Sequence, residues 1–340
     1  MISTYGRPDV LVCALQSVLL QTYQHWEVLI IGDNCDSNTL NALSPFLSDA
    51  RFHYINLPFR CGEQALPNTA GMFASKTEFV ALLNQDDIWL PWHLELSIKT
   101  MQSHQADFLI GRAAWSWGQM REDKDLALLH GVSPQIGNWE QIFLSGHHLV
   151  EPASCWVLRR SEIAKVGYWH SAAYLHRRPI QDWCLRAWRA GLKLINCKPI
   201  SCIKFENHWS ESAPERRYDV ADTPQKSWIK FISNPKCFDE VRTELIQLGN
   251  NEEAVGRGMQ LKALELKEDL VKYERKLITP DYAKLYRQTG LDSFNWMCAE
   301  IGMDRGWYWK NALKSRTGEQ VMSPPNVEDV IKFVTSNLTN

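Results

Sequence analysis

The sequence predicts an α/β fold: a mostly parallel twisted sheet flanked by helices, joined to a smaller, mainly helical C-terminal region. Three observations carry this. From about residue 8 to 210, short apolar runs alternate with amphipathic helical stretches, the rhythm of parallel strands covered by helices. Apolar runs end abruptly in acids, as in "EVLIIGD" and "FVALLNQDD", and in open α/β sheets the ligand crevice lies outside the carboxyl ends of the strands. Beyond Ser210 the texture changes to a charged helical pattern.

The elements follow in order. "RPDVLVCALQSVLLQ" reads as a helix with Pro8 in its first turn and Val10, Ala14, Val18 and Leu19 on one face. "EVLIIGD" (27–33) is a strand followed by the turn-rich "NCDSN"; "FHYINLP" (52–58) and "EFVALLN" (78–84) are strands two and three. Pro91 opens the helix "PWHLELSIKTMQSH", and "ADFLIGRAA" (106–114) is the fourth strand. "IQDWCLRAWRAG" (180–191) has helical spacing with a stop at Gly191, and leads into the strand "LKLINCK". These readings place a domain over 1–210, dividing at about residue 110. A helical region covers 211–340, with the boundary near 211–225, at "ESAPERRYDVADTP". Within that region "LKALELKEDLVKYERKL" (261–277) reads as a helix, either solvated or available for a homodimer contact.

Composition excludes several classes. With 340 residues, 45% of them hydrophobic, the chain can bury a large core. No apolar run approaches the roughly eighteen residues a membrane span needs, and "MISTYGRPDV" is no signal peptide, so a cytoplasmic setting is expected, with peripheral contact at the inner membrane face left open. Nine scattered cysteines without a CxxC pair indicate neither a disulfide framework nor a zinc site. Thirty-seven basic against 39 acidic residues give no overall field for nucleic acid. Neither GxGxxG after the first strand region nor GxxxxGK[ST] is present. Fifteen tryptophans fill core or stack on sugars and bases.

Asp33, Asp86 and Asp87 therefore stand at strand ends. Oxygen ligands meeting at a sheet edge suit Mg²⁺ or Mn²⁺, which bind through one or two carboxylates plus substrate phosphates. The alternative is that Asp86 and Asp87 cap the helix that follows.

Three blocks, "STYGRPDVLVCALQSVLLQTYQHWEVLIIGDNCDSNT", "PNTAGMFASKTEFVALLNQDDIWLPWHLE" and "QDWCLRAWRAG", resemble in order and spacing the family-2 inverting glycosyltransferases of the GT-A fold, over roughly residues 1–210. The resemblance implies transfer of a sugar with inversion from a nucleotide-sugar, a UDP-sugar favoured, to a glycan or lipid-linked acceptor, set in bacterial surface polysaccharide assembly. It implies that Ser3 and Tyr5 lie against the base, that Asp33 hydrogen-bonds it, and that Asp86 of "NQDD" holds the cation with Asp87 near the sugar or ribose. Asn84 stands where the family's first acid would, and Pro67 precedes Asn68 where an arginine is usual, which leaves Arg7 or Arg60 to meet the donor. Asp182 falls on the family's catalytic base, with Gln181 in place of the usual Glu. His208 lies where some relatives supply a histidine to the metal or diphosphate. Across 111–162 the acceptor side offers Trp115, Trp117, Trp156, His147 and His148, of which Trp156 and His148 are the contacts expected. Only Ile2 and Ser3 separate Met1 from the "TY" block, so the first strand must be short or begin upstream. Retained Asp33, Asp86 and Asp182 favour an enzyme, whereas Asn84 and the short first strand favour a nucleotide- or glycan-binding protein on the same fold. A nucleotidyltransferase is a weaker third reading, since its glycine-rich, arginine-containing loop is absent.

Overall fold

The structure, a computed structural model, describes residues 1–122, 125–136, 139, 152–176, 178–205, 224–256, 305–306, 309 and 323–338. Strands β1 (Ile2–Thr4), β2 (Val28–Gly32) and β3 (Phe52–Asn56) form a three-stranded parallel sheet in the order β1-β2-β3. All five residues of β2 are buried, as expected of a strand with helices on both faces. Helix α1 (Pro8–Leu19) covers this sheet with Leu11, Ala14, Leu15 and Val18. The turn-rich "NCDSN" continues into a short helix, α2 (Ser37–Leu43), because Asp36 accepts from the Thr39 amide as its N-cap.

After α3 (Ala65–Ala74) comes β4 (Phe79–Ala81), and two backbone bonds with the spacing of a parallel ladder join it to the first strand: the Met1 amine donates to the Ala81 carbonyl and the Leu83 amide to the Met1 carbonyl. The two sheets thus share a seam. The second sheet holds β4, β5 (Ile88–Trp89), β6 (Phe108–Ser116), β7 (Gly131–Val132), β8 (Trp156–Arg159) and β9 (Leu194–Phe205), in the order β4-β8-β6-β9-β5 with β7 on β6. Here β6 and β9 run parallel, and the other pairings are antiparallel. Parallel pairing is therefore shared between the first sheet and the long β6–β9 pair at the centre of the second. β9 is longer than "LKLINCK" suggested; its far end reaches back to Ser116 through register shifts near Arg112.

Helices α4 (His93–Ser103), α5 (Arg160–Val166) and α6 (Pro179–Arg189) complete the layers before residue 210. Beyond it, α7 (Pro224–Ile232) and α8 (Phe238–Asn250) bury Trp228, Ile229, Ile232, Val241 and Leu245 in one cluster with Ile203 and Phe205 of β9. Helix α9 (Val327–Leu338) buries Val330 and Val334 in the cluster that holds Leu66 and Ala70 of α3. The later helices thus pack on the sheet and helices that precede them. The proposed dimer segment 261–277 lies outside the described residues. Among the described residues no helix is long and apolar enough to cross a membrane.

Candidate active site

Strand β2 delivers Asp33 to its carboxyl end, where Gly32 is the only residue that fits: a Cβ there would lie 2.5 Å from Asn56 Oδ1 and 2.7 Å from the Tyr54 hydroxyl. Asn56 in turn brackets Cys35, accepting from its amide at 2.8 Å and donating to its carbonyl at 2.9 Å. Asp33 is 4% exposed. It accepts from the Cys61 amide at 2.5 Å, the Gly62 amide at 2.9 Å and Arg60 Nη1 at 2.6 Å. Burial raises its pKa, opposed by these donors and by the Arg60 charge. The guanidinium of Arg60 also lies over the Tyr5 ring, 3.0 Å from its centroid. Arg60, Tyr5 and Asp33 thus form one wall, half of which the protein's own donors already occupy. Ser3 is half-buried in β1 beside Ile31, and Asn68 is buried in α3.

The acids of "NQDD" behave differently from each other. Asp87 is fully buried and accepts from Asn84 Nδ2 at 2.9 Å, the Ser154 hydroxyl at 2.5 Å and the Phe205 amide at 3.3 Å. Burial pushes its carboxyl up to about 6, with Lys204 opposing and Asp86 adding to the rise. The structure therefore places Asp87 as a staple between the β4–β5 turn, the segment before β8 and the end of β9, facing inward. Asn84, the residue in the first-acid position, donates to that staple. Asp86 keeps a partly exposed side chain, paired with Arg7 Nη1 at 2.9 Å, and its carbonyl accepts from Gln225 Nε2 at 3.0 Å. Gln85 ties this turn to the first block, accepting from the Thr4 hydroxyl at 2.6 Å and the Tyr5 amide at 2.9 Å while donating to the Tyr5 carbonyl at 3.2 Å.

A divalent cation asks for oxygen ligands, and the donors present test the fit. Among the described residues no group of three His, Cys, Asp or Glu side chains converges, and Asp87 and Asn84 are bonded to each other. Asp86 is the carboxylate left at the surface. The residues therefore fit a cation held by one protein carboxylate together with a donor's own phosphate oxygens, at a position the Arg7 guanidinium now contacts. His208 lies outside the described residues.

Asp182 sits in the first turn of α6, whose N-terminus is fixed by Pro179 and by Gln181, which accepts from the Arg178 amide at 3.3 Å. Arg186 Nε meets Asp182 Oδ2 at 2.8 Å one turn along, and His170 Nδ1 meets the same oxygen at 3.1 Å. Burial raises the Asp182 pKa, but the His170 hydrogen bond and the Arg186 charge outweigh it and hold the carboxyl below its ordinary value. Arg186 is further committed to the Val166 and Tyr168 carbonyls, both at 2.6 Å.

On the acceptor side, Trp156 is 0% exposed and packs against Phe108, Trp169 and Trp183 at centroid distances of 5.0, 5.2 and 5.8 Å. It is core, with no face for a sugar. Trp115 is likewise buried. His147 and His148 lie outside the described residues. Sequence reasoning gave no role to Gln85, Ser154, His170, Arg186 or Glu63. The partners of Gln85, Ser154, His170 and Glu63 lie well away in the chain, where no local pattern marks the pair, whereas Arg186 stands one helical turn from Asp182, a spacing the sequence does carry.

Residues 1–166 match the profile of the family described as Glycosyl transferase family 2. The UDP-Glc:alpha-D-GlcNAc-diphosphoundecaprenol beta-1,3-glucosyltransferase WfgD of Escherichia coli is 33% identical over 108 residues, 32% of this chain and 42% of that protein. The glycosyltransferase GlyG of Streptococcus pneumoniae is 23% identical over 152 residues, covering 41% of this chain and 50% of its own. The match spans half or less of these relatives. The crystal structure of S. aureus TarS 1-349 in complex with UDP aligns at a TM-score of 0.48 and 14% identity, over 99% of this chain and 87% of that one.

Proposed function

Residues 1–166 belong to glycosyl transferase family 2, and from that premise we propose that the protein transfers a sugar, with inversion, from a nucleotide-sugar to a glycan or lipid-linked glycan in bacterial polysaccharide assembly. The name of the WfgD relative supports a UDP-sugar donor. The observation that carries the reading is the separation of roles among three acids: Asp33 is enclosed by the loop at 60–62, Asp86 stands at the turn after β4, and Asp182 opens a different helix.

In this reading Tyr5, Arg60 and Asp33 hold the base, with Ser3 and Asn68 nearby, and Arg7 lies within reach of the diphosphate. Asp86 would hold Mn²⁺ or Mg²⁺, which as a Lewis acid offsets charge on the departing phosphate. The acceptor hydroxyl oxygen forms the new bond to the anomeric carbon as the bond to the nucleoside diphosphate breaks. Its proton passes to Asp182. Among the described residues both contacts to Asp182 fall on Oδ2, so Oδ1 is the oxygen for the hydroxyl, which needs a base within about 3 Å. Arg186 and His170 keep the carboxylate ionised and oriented beforehand.

A second reading, a donor- or glycan-binding protein without turnover, draws support from the lowered pKa of Asp182 and from the bond between Asn84 and Asp87. Transfer and donor hydrolysis across UDP-, GDP-, CMP- and TDP-sugars, with Mn²⁺ or EDTA, separate the two. For the enzyme, Asp182→Asn lowers kcat by roughly 10²–10⁴ while donor affinity stays within a few-fold. Tight nucleotide binding with no turnover on any donor selects the binding protein.

A further inference from the structure

Glu63 has no place in that reaction, yet it sits where the loop around Asp33 meets the segment beside Asp182. Upstream of it, the Cys61 and Gly62 amides point at Asp33. Its own carboxylate accepts the Ala172 amide with both oxygens, at 3.1 and 3.2 Å. Just before that amide in the chain, His170 meets Asp182 Oδ2 at 3.1 Å although its side chain is 51% exposed. A path of contacts thus runs from one carboxylate to the other through two peptide units, the Glu63 carboxylate and one imidazole.

Other contacts fix the segment on both sides of His170. Arg186 takes the Val166 and Tyr168 carbonyls, and the Trp169 amide donates to the Thr69 hydroxyl at 2.9 Å. Past His170, the buried Ser171 caps the short 3₁₀ turn Ala172–Tyr174, its hydroxyl accepting from the Ala173 amide at 3.2 Å and its carbonyl from the Tyr174 amide at 3.0 Å, and the Ala172 amide that opens this turn is held by Glu63. A charge-assisted bond from a carboxylate to a backbone N–H fixes the orientation of that peptide, and a half-exposed imidazole on a loose backbone would turn to solvent. Packing alone does not ask for an acid here, because placing a carboxylate away from water is costly.

We propose that Glu63 is a positioning residue: by fixing the Ser171–Ala172 backbone it holds the His170 ring on Asp182 and joins the donor-side loop to the acid that takes the proton. Its catalytic consequence rests on the reading of Asp182 as the base. In Glu63→Gln the His170 ring nitrogens should shift in ¹⁵N-edited NMR, and kcat should fall roughly tenfold or more with donor Kd within two-fold, since small misplacements near the reacting atoms cost up to about 10². Glu63→Gln added to Asp182→Asn should cost nothing further, because a residue acting through Asp182 has nothing left to position. Glu63→Asp, which keeps the charge and shortens the reach to the Ala172 amide, should move both readouts the same way by less. An unmoved His170 resonance, or an equal loss of kcat in both backgrounds, overturns the proposal. Failure of the base reading shows separately: Asp182→Asn alone would retain turnover, and the His170 resonance would then judge Glu63 by itself.

Discussion

Asp86 and Arg7 form a partly exposed ion pair at 2.9 Å, with 24% and 29% of their side chains accessible, and such a pair is worth little by itself. It can therefore open cheaply when a donor brings its own charges. If a cation is held at Asp86, Asp86→Ala weakens nucleotide binding far more in Mn²⁺ than in EDTA; equal affinity in the two media removes the metal from the reading. Arg7→Gln tests the competition: it should tighten Mn²⁺ at Asp86 when nucleotide is present and weaken nucleotide binding in EDTA, and titration calorimetry reads both. At this scale the sequence was informative about which positions carry acids and poor about which way they face. Asp86 and Asp87 are neighbours in one motif, but pleat and turn send the second inward to Ser154, 67 residues away. Trp156 misled for the opposite reason: an aromatic residue that could stack on sugar could equally meet three other rings, and the rings won.

Elements were legible where their periodicity is local. The helix at α1 and strands β2, β3 and β6 lie within a few residues of their expected spans. Short elements were not: α2 rests on one capping acid, and β5 on two residues paired to Cys202 and Ile203. Helix α9 is the case with consequences. Its buried Val330 and Val334 are both 0% exposed and join the cluster around α3, the helix that carries Asn68 and follows Glu63. Val330→Ala or Val334→Ala should each cost about 2 kcal/mol, from two buried methyl groups and the gap they leave, read by denaturant unfolding. If α9 were only a surface appendage, either substitution would leave the midpoint unmoved.

At the scale of the whole molecule, burial pushes two carboxyls, Asp87 and Glu63, into an accessible titration window where their charged forms act against stability, and Glu63 is the one that joins the Asp33 loop to the segment beside Asp182. Burial pushes its carboxyl up to about 7 from the usual 4.5, with Asp33 adding to the rise and the Ser171 and Ala172 bonds opposing it. Arg60 faces the same loop from the Asp33 side, and His170 stands one residue beyond Ser171. A raised carboxyl pKa means that the folded state binds the proton more tightly than the unfolded chain does. Stability from this group is therefore greatest below pH 4.5, declines as pH rises from 4.5 to about 7, and is flat above that. Glu63→Gln has no such slope. Whatever constant offset the amide introduces, the difference in Tm between Glu63→Gln and wild type should move in favour of the variant between pH 5 and pH 8, read by differential scanning calorimetry. A difference that stays constant, or moves the other way, would mean that Glu63 is ionised as readily in the folded protein as in water, and that the strut between the two ends of the site carries its charge at no cost.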